Sequence, residues 1–409
     1  LECLEDRCLP AITITEFPVP TTNSGPVGIA TGPDGNLWFT EDNADQVGRI
    51  TPTGAITEFA VPTANSGPHG IAAGPDGNLW FTEQAGDKIG RITPTGTITE
   101  FAIPTADSTP QGIAAGPDGN LWFTEEAGDK IGRITPTGTI TEFPVPTAGS
   151  VPIGIAAGPD GNLWFTEQEG DKIGRITPTG TITEFAVPTA TSNPLGIAAG
   201  PDGNLWFTEE FGDQIGRITP TGTITEFAVP TARSNPVGIA AGPDGNLWFT
   251  EEFGDKIGRI TPIGTITEFA VPTANSNPFA IAAGPDGNLW FTELFGDKIG
   301  RTGSQPSATL TVVPETYPTD ALHFHTMQDA LAAAVGADDT IQIEPGADTG
   351  LFNSTTLAAA ASAGATTIVT AAPISPAEVV LVGTQRERPR SRAGPAGSES
   401  RRDRHQRRR

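Results

Sequence analysis

The sequence predicts an all-β fold dominated by a seven-bladed β-propeller, each blade a four-stranded antiparallel sheet. Three observations support this. The segment I-T-E-F recurs at Ile14, Ile56, Ile98, Ile140, Ile182, Ile224 and Ile266, in steps of 42 residues. The segment G-P-D-G-N-L-W-F-T-E recurs in the same phase and contains every tryptophan: Trp38, Trp80, Trp122, Trp164, Trp206, Trp248 and Trp290. A period of about 40–45 residues fits four short strands with their turns. Finally, Gly and Pro number 50 and 38, spaced too closely for a long helix to survive.

The second copy shows how one unit reads. Gly70-Ile71-Ala72-Ala73 is a strand of small residues, suited to the crowded centre where blades converge. Pro75-Asp76-Gly77-Asn78 is a tight turn, with Gly77 supplying a positive φ. Leu79-Trp80-Phe81-Thr82 is the second strand, its aromatics placed to fill the space between blades. Gln84-Ala85-Gly86-Asp87 connects to Ile89-Gly90-Arg91-Ile92, the third strand. Thr93-Pro94-Thr95-Gly96 turns into the outer strand, Ile98-Thr99-Glu100-Phe101.

The phase also says how the ring closes. The array opens on an outer strand, Ile14 to Phe17, and ends on a third strand near Ile299 to Arg301. The N-terminal strand can therefore complete the last blade. An open solenoid would leave both sheet ends exposed.

Composition narrows the partners. The formal net charge is −24. Residues 384–409 hold ten Arg and three acids, or +7, which leaves −31 on the rest. So acidic a body repels phosphate backbones, and nucleic acid is not expected as a partner. No apolar run is long enough to span a membrane. Cys3 and Cys8 precede the repeats and say little about redox compartment. The propeller is expected to be monomeric.

Alternating strand direction sorts the loops onto two faces. The P-D-G-N and T-P-T-G turns share one face and hardly vary among the copies. The opposite face varies, and a ligand site is expected there. Before the first strand it presents Val27, His69, Gln111, Ile153, Leu195, Val237 and Phe279. After the second strand it presents Asn43, Ala85, Ala127, Glu169, Phe211, Phe253 and Phe295. Gln111, Leu195, Phe211, Phe253, Phe279 and Phe295 are the candidate ligand contacts, in a polar half facing an apolar half. The ligand would be a small molecule or a surface partner; alternatively the aromatics pack against their own loops. The W-F-T-E glutamates form a sevenfold set, Glu41 to Glu293, and Glu125 is followed by Glu126. Glu83, Glu125 and Glu126 are candidate ligands for Mg²⁺ or Ca²⁺ if they converge on the channel mouth. Otherwise these acids cap loop amides or pair with the Arg of I-G-R-I.

Together, G-P-D-G-N-L-W-F-T-E and K-I-G-R-I-T-P-T-G-T-I-T-E-F resemble the virginiamycin B lyase (streptogramin lyase) family over about residues 14–302. The resemblance implies a seven-bladed propeller and Mg²⁺-dependent opening of streptogramin B rings by elimination. A base would take an acidic Cα proton, the ester C–O bond would break, and the metal would stabilise enolate charge. The family places histidines just before the first strand in two adjacent blades. Here that position holds His69, flanked by Val27 and Gln111 in the neighbouring copies. A metal-linked acid lies two residues before one of those histidines, where this chain has Gly67. A second acid lies four residues after the Trp position, where the His69 blade has Gln84. One position of four matches, so His69 is the candidate base and the chemistry transfers less readily than the fold.

The two ends differ in character. Leu1-Glu2-Cys3-Leu4-Glu5-Asp6-Arg7 resembles a motif of exported planctomycete proteins, which implies an extracellular or envelope location for a chain whose residues 1–11 are an export-associated segment. The propeller is expected over 12–303 and a linker over 304–320. Residues 321–383 resemble the start of a right-handed parallel β-helix, with a short helix at Met327–Ala334 and a strand and turn over Thr340–Gly346. The Arg-rich tail, 384–409, is expected to be disordered.

Overall fold

A computed structural model describes residues 12–303 and, beyond them, the backbone of four short strands. The chain divides into two units, Leu1–Ala308 and Thr309–Arg409, each described by itself. The export-associated segment, the Met327–Ala334 helix and the Arg-rich tail lie outside the described residues.

The first unit contains seven four-stranded antiparallel sheets. Blade 2 runs outward through Pro68–Ala73, Leu79–Glu83, Lys88–Ile92 and Ile98–Ala102. Six blades are contiguous in this way. The seventh joins Pro278–Ala283, Leu289–Glu293 and Lys298–Thr302 to the N-terminal strand Ile14–Pro18. That strand pairs from Ile14 opposite Thr302 to Pro18 opposite Lys298, so the expected closure is present. The ring also closes between blades, because Arg301 donates to the Pro52 carbonyl at 2.9 Å.

Repetition of the sequence becomes repetition of packing. Trp80 and Phe81 are fully buried and serve opposite sides of one blade. Phe81 packs inward against Trp38 and Val47 of blade 1, while Trp80 packs against Leu121 and Phe123 of blade 3. Trp80 stacks on Phe101 of the outer strand with ring centroids 5.5 Å apart. The Arg91 guanidinium lies 5.5 Å from the Trp80 ring and donates to the Pro136 carbonyl of the next blade at 3.1 Å. Asp76 of the turn accepts the Trp80 indole N–H at 3.0 Å. A single unit thus satisfies a buried aromatic, a cation and a turn, and ties two blades together. Gly90 has to be glycine, because a Cβ there would overlap the Phe81 ring. Gly77 takes φ +76°, as its turn requires.

In the second unit Thr309–Val312 pairs in parallel with Thr340–Ile343, which pairs in parallel with Thr367–Thr370. Thr340–Ile343 is a strand within the strand and turn expected over Thr340–Gly346. Thr309–Val312 corrects the linker expected over 304–320: T-L-T-V has the β-branched alternation of a strand, overshadowed by the Pro and Ser around it.

Candidate functional site on the loop face

The innermost strands begin two residues earlier than expected, at the proline of each P-x-G-I or P-F-A-I segment. A register shift follows, between Pro68 and Ile71 in blade 2. Proline is tolerated because the first residue of a strand, next to such an irregularity, need not donate an N–H to the ladder. Two residues lie between the paired positions, and the shift re-aims the first of them, His69 in blade 2 and Gln111 in blade 3. The W-F-T threonine fixes the backbone there. Thr82 accepts the Gly70 N–H at 2.8 Å and donates to the Gln111 carbonyl of the next blade at 2.7 Å.

Seven such residues form a ring on the loop face. His69 meets Phe279 edge to face, with centroids 6.0 Å apart and planes at 88°. Blade 1 lies between their blades, so both side chains must turn toward the propeller axis. Val27 and Gln111 are buried, and Leu195 and Phe279 are half-buried. His69 is half-buried too, and desolvation of its imidazole pulls its pKa down to about 4, which leaves it neutral at pH 7.

A second ring consists of Asp42, Gln84, Glu126, Gln168, Glu210, Glu252 and Leu294. Amides from neighbouring positions brace three of its four acids. Gln111 donates to Glu126. Glu210 accepts from Gln168 at 3.2 Å and from Asn235 at 3.4 Å, and Glu252 accepts from Asn277 at 3.0 Å. Burial raises the pKa of both Glu210 and Glu252.

The W-F-T-E glutamates do not converge on the channel. Glu83 and Glu125 are fully buried beneath the loop that follows their own strand, against Gly86 and Gly128. Neither oxygen of either carboxylate has a hydrogen-bond partner, and the same holds for the other five of the set. The alternatives of amide capping and pairing with the I-G-R-I arginine are corrected with them, since that arginine bonds a proline carbonyl instead. Burial, and then repulsion from Glu100, pushes the Glu83 pKa up to about 8, with Lys88 partly offsetting it. Among the described residues no three His, Cys, Asp or Glu side chains are grouped to hold a metal. Glu126 stays with the loop face, separated in role from Glu125.

The loop amides are organised by an aspartate in the left-handed region. Asp45, at φ 52°, accepts from the Asn65, Ser66 and Gly67 N–H groups at 2.6, 2.7 and 3.2 Å. This fixes the position two residues before His69, yet Gly67 offers no side chain there. Phe211, Phe253 and Phe295 are 60, 62 and 71 % exposed, so they do not fold back onto their loops.

The model of the Virginiamycin B lyase family matches residues 7–148 and 113–319. The chain belongs to the virginiamycin B lyase family. A streptogramin B lyase structure is 42% identical, covering 71% of this chain and 97% of its own, at a TM-score of 0.69. The virginiamycin B lyase from Staphylococcus aureus is 43% identical, covering 72% of this chain and 100% of its own, at a TM-score of 0.69. A catalytically inactive histidine-to-alanine variant of that enzyme, crystallised with quinupristin, matches equally. Hydrazine synthase from Kuenenia stuttgartiensis, 17% identical at a TM-score of 0.60, shares the fold over 70% of this chain and 97% of its own.

Family membership sharpens what the ring lacks. With His69 taken as the second histidine, its own blade supplies Gly67 and Gln84. With His69 taken as the first, blade 3 supplies Thr109, Gln111 and Glu126. In that register the second acid is present, and an amide hydrogen-bonded to it stands where the second histidine would be. Sequence reading missed this register. The 42-residue step could have revealed it, because every blade offers the same positions. In neither register does the position two residues before the histidine carry a carboxylate, Gly67 in one and Thr109 in the other; the Asp42 carboxylate lies beside Gly67 instead, and no third metal-ligating side chain is grouped with it among the described residues.

Proposed function

We propose that this member of the family is an exported scaffold that binds a ligand or partner on its loop face. The contact of His69 with Phe279 carries this reading. A base must reach the proton it abstracts and hold a pKa near the working pH. The His69 ring is packed on an aromatic, and burial holds its pKa at about 4. Gly67 and Thr109 provide no carboxylate for a metal-stabilised enolate. What remains is a rigid ring of varied loops on a uniform scaffold, an arrangement suited to recognition. The N-terminal likeness to exported proteins supports the location.

A second reading is favoured by the identity of 42–43% across nearly the whole length of the lyase structures. In it the chain opens streptogramin B-type rings with Mg²⁺. Incubation with quinupristin and Mg²⁺ separates the two, followed by reversed-phase chromatography with mass detection. The scaffold reading expects unchanged substrate. A shifted product of unchanged mass, absent with His69→Ala, would favour the lyase.

A further inference from the structure

We infer that the loops of blades 5 to 7 dock a cationic polypeptide segment whose basic residues alternate with apolar ones. This rests on the scaffold reading and names the partner for the same face.

The large apolar side chains exposed among the described residues are Phe211, Phe253, Phe295 and Ile263. The three phenylalanines occupy one loop position in three successive blades, where blades 2 to 4 carry Ala85, Ala127 and Glu169. Apolar rings in a row on an otherwise repetitive surface mark an interaction site. At 60–71 % exposure they line no enclosed cavity, as a small ligand would need. An extended segment can cross all three loop tips.

Charge decides the chemistry of that segment. Glu210 and Glu252 directly precede Phe211 and Phe253. Their hydrogen bonds come from the neutral amides of Gln168, Asn235 and Asn277. Neither makes an ion pair among the described residues. Near these loops Lys256 and Lys298 are already paired with Glu268 and Glu16, which leaves Arg233 as the basic residue within the loops themselves. A guanidinium or ammonium group lying over a phenyl ring could also reach the adjacent carboxylate, gaining a cation–π contact and a charge partner together. The same acidity disfavours a second copy of the chain and an anionic membrane surface.

The test uses the full chain and three fluorescein-labelled eight-residue peptides, alternating Arg with Leu, Arg with Ser, or Glu with Leu. Anisotropy titrations are run in 150 mM salt. The Arg–Leu peptide should bind at least about tenfold more tightly than the other two. Combined Phe211→Ser, Phe253→Ser and Phe295→Ser should weaken it by about tenfold or more, as should Glu210→Gln with Glu252→Gln. Ile263→Ser, on the turn face, should leave it unchanged. Absence of Arg–Leu binding, or equal binding of Arg–Ser, would overturn the proposal. Ring-dependent cosedimentation with phosphatidylcholine vesicles would overturn it in favour of a membrane. Ring-dependent binding of Glu–Leu would refute the charge assignment yet keep the loop face as a binding surface. Turnover of quinupristin would instead overturn the scaffold reading while leaving these titrations interpretable.

Discussion

The turn face and the loop face are built by the same 42-residue unit and have diverged to different degrees. On the turn face the repeated Asp, Asn and Thr side chains are hydrogen-bonded within their own turns. Asp118 accepts from the Trp122 indole at 3.0 Å and from the Asn120 amide at 2.8 Å. The P-D-G-N sequence is therefore fixed seven times over. On the loop face the backbone is held by Asp45 and its equivalents, through main-chain N–H groups that accept no dictation from side-chain identity. Loop side chains are thereby free to differ. The comparison teaches that uniformity marks bonded side chains, and variation marks positions fixed through the backbone alone.

The largest expected effect is on the uniform scaffold. Trp122→Ala should cost about 3–5 kcal/mol by denaturant unfolding, since it empties a fully buried site shared by two blades. A loss under 1 kcal/mol would mean the blades are not coupled by their tryptophans.

The next effect concerns the buried glutamates. The Glu125 pKa is pushed up to about 8 by burial and then by repulsion from Glu142, and its equivalents behave alike. A group with a raised folded-state pKa lends stability that is fully present below about pH 4.5 and is lost as pH rises through about 8. The melting temperature should fall by at least about 5 °C between pH 5 and 8. Replacing all seven glutamates with Gln should flatten that slope. His69 works in the opposite sense, since its depressed pKa weakens the fold as pH drops below 6.5, but it is one group against seven. A melting temperature that rises toward pH 8 would show these carboxylates to be solvated or paired.

The smallest effects contrast the two faces directly. Asp118→Ala should cost about 1–2 kcal/mol by removing the acceptor of a buried indole N–H. Phe253→Ser, at an exposed loop tip, should stay within about 0.5 kcal/mol. Equal losses at both positions would erase the distinction.

Much of this was legible in the sequence. The phase of I-T-E-F against L-W-F-T gives the blade, the seven copies and the closure by Ile14–Pro18. The identity of the ring residues follows from the same phase. Depth does not. W-F-T-E reads as a strand ending in a surface acid, and only packing shows Glu125 under its own loop. The irregularity between Pro68 and Ile71 leaves no mark on periodicity, yet it aims His69. The contact of His69 with Phe279 joins residues 210 positions apart, and no local pattern predicts it.

The scaffold role proposed for the loop face requires a His69 imidazole packed on Phe279 and neutral at pH 7. A heteronuclear NMR titration of the imidazole tests this most directly, with its signals assigned by their loss in His69→Gln. No titration should occur between pH 5.5 and 8, with an apparent pKa near 4. A midpoint at or above the ordinary histidine value of about 6.5 would contradict it, showing a ring free of Phe279 and available as a base.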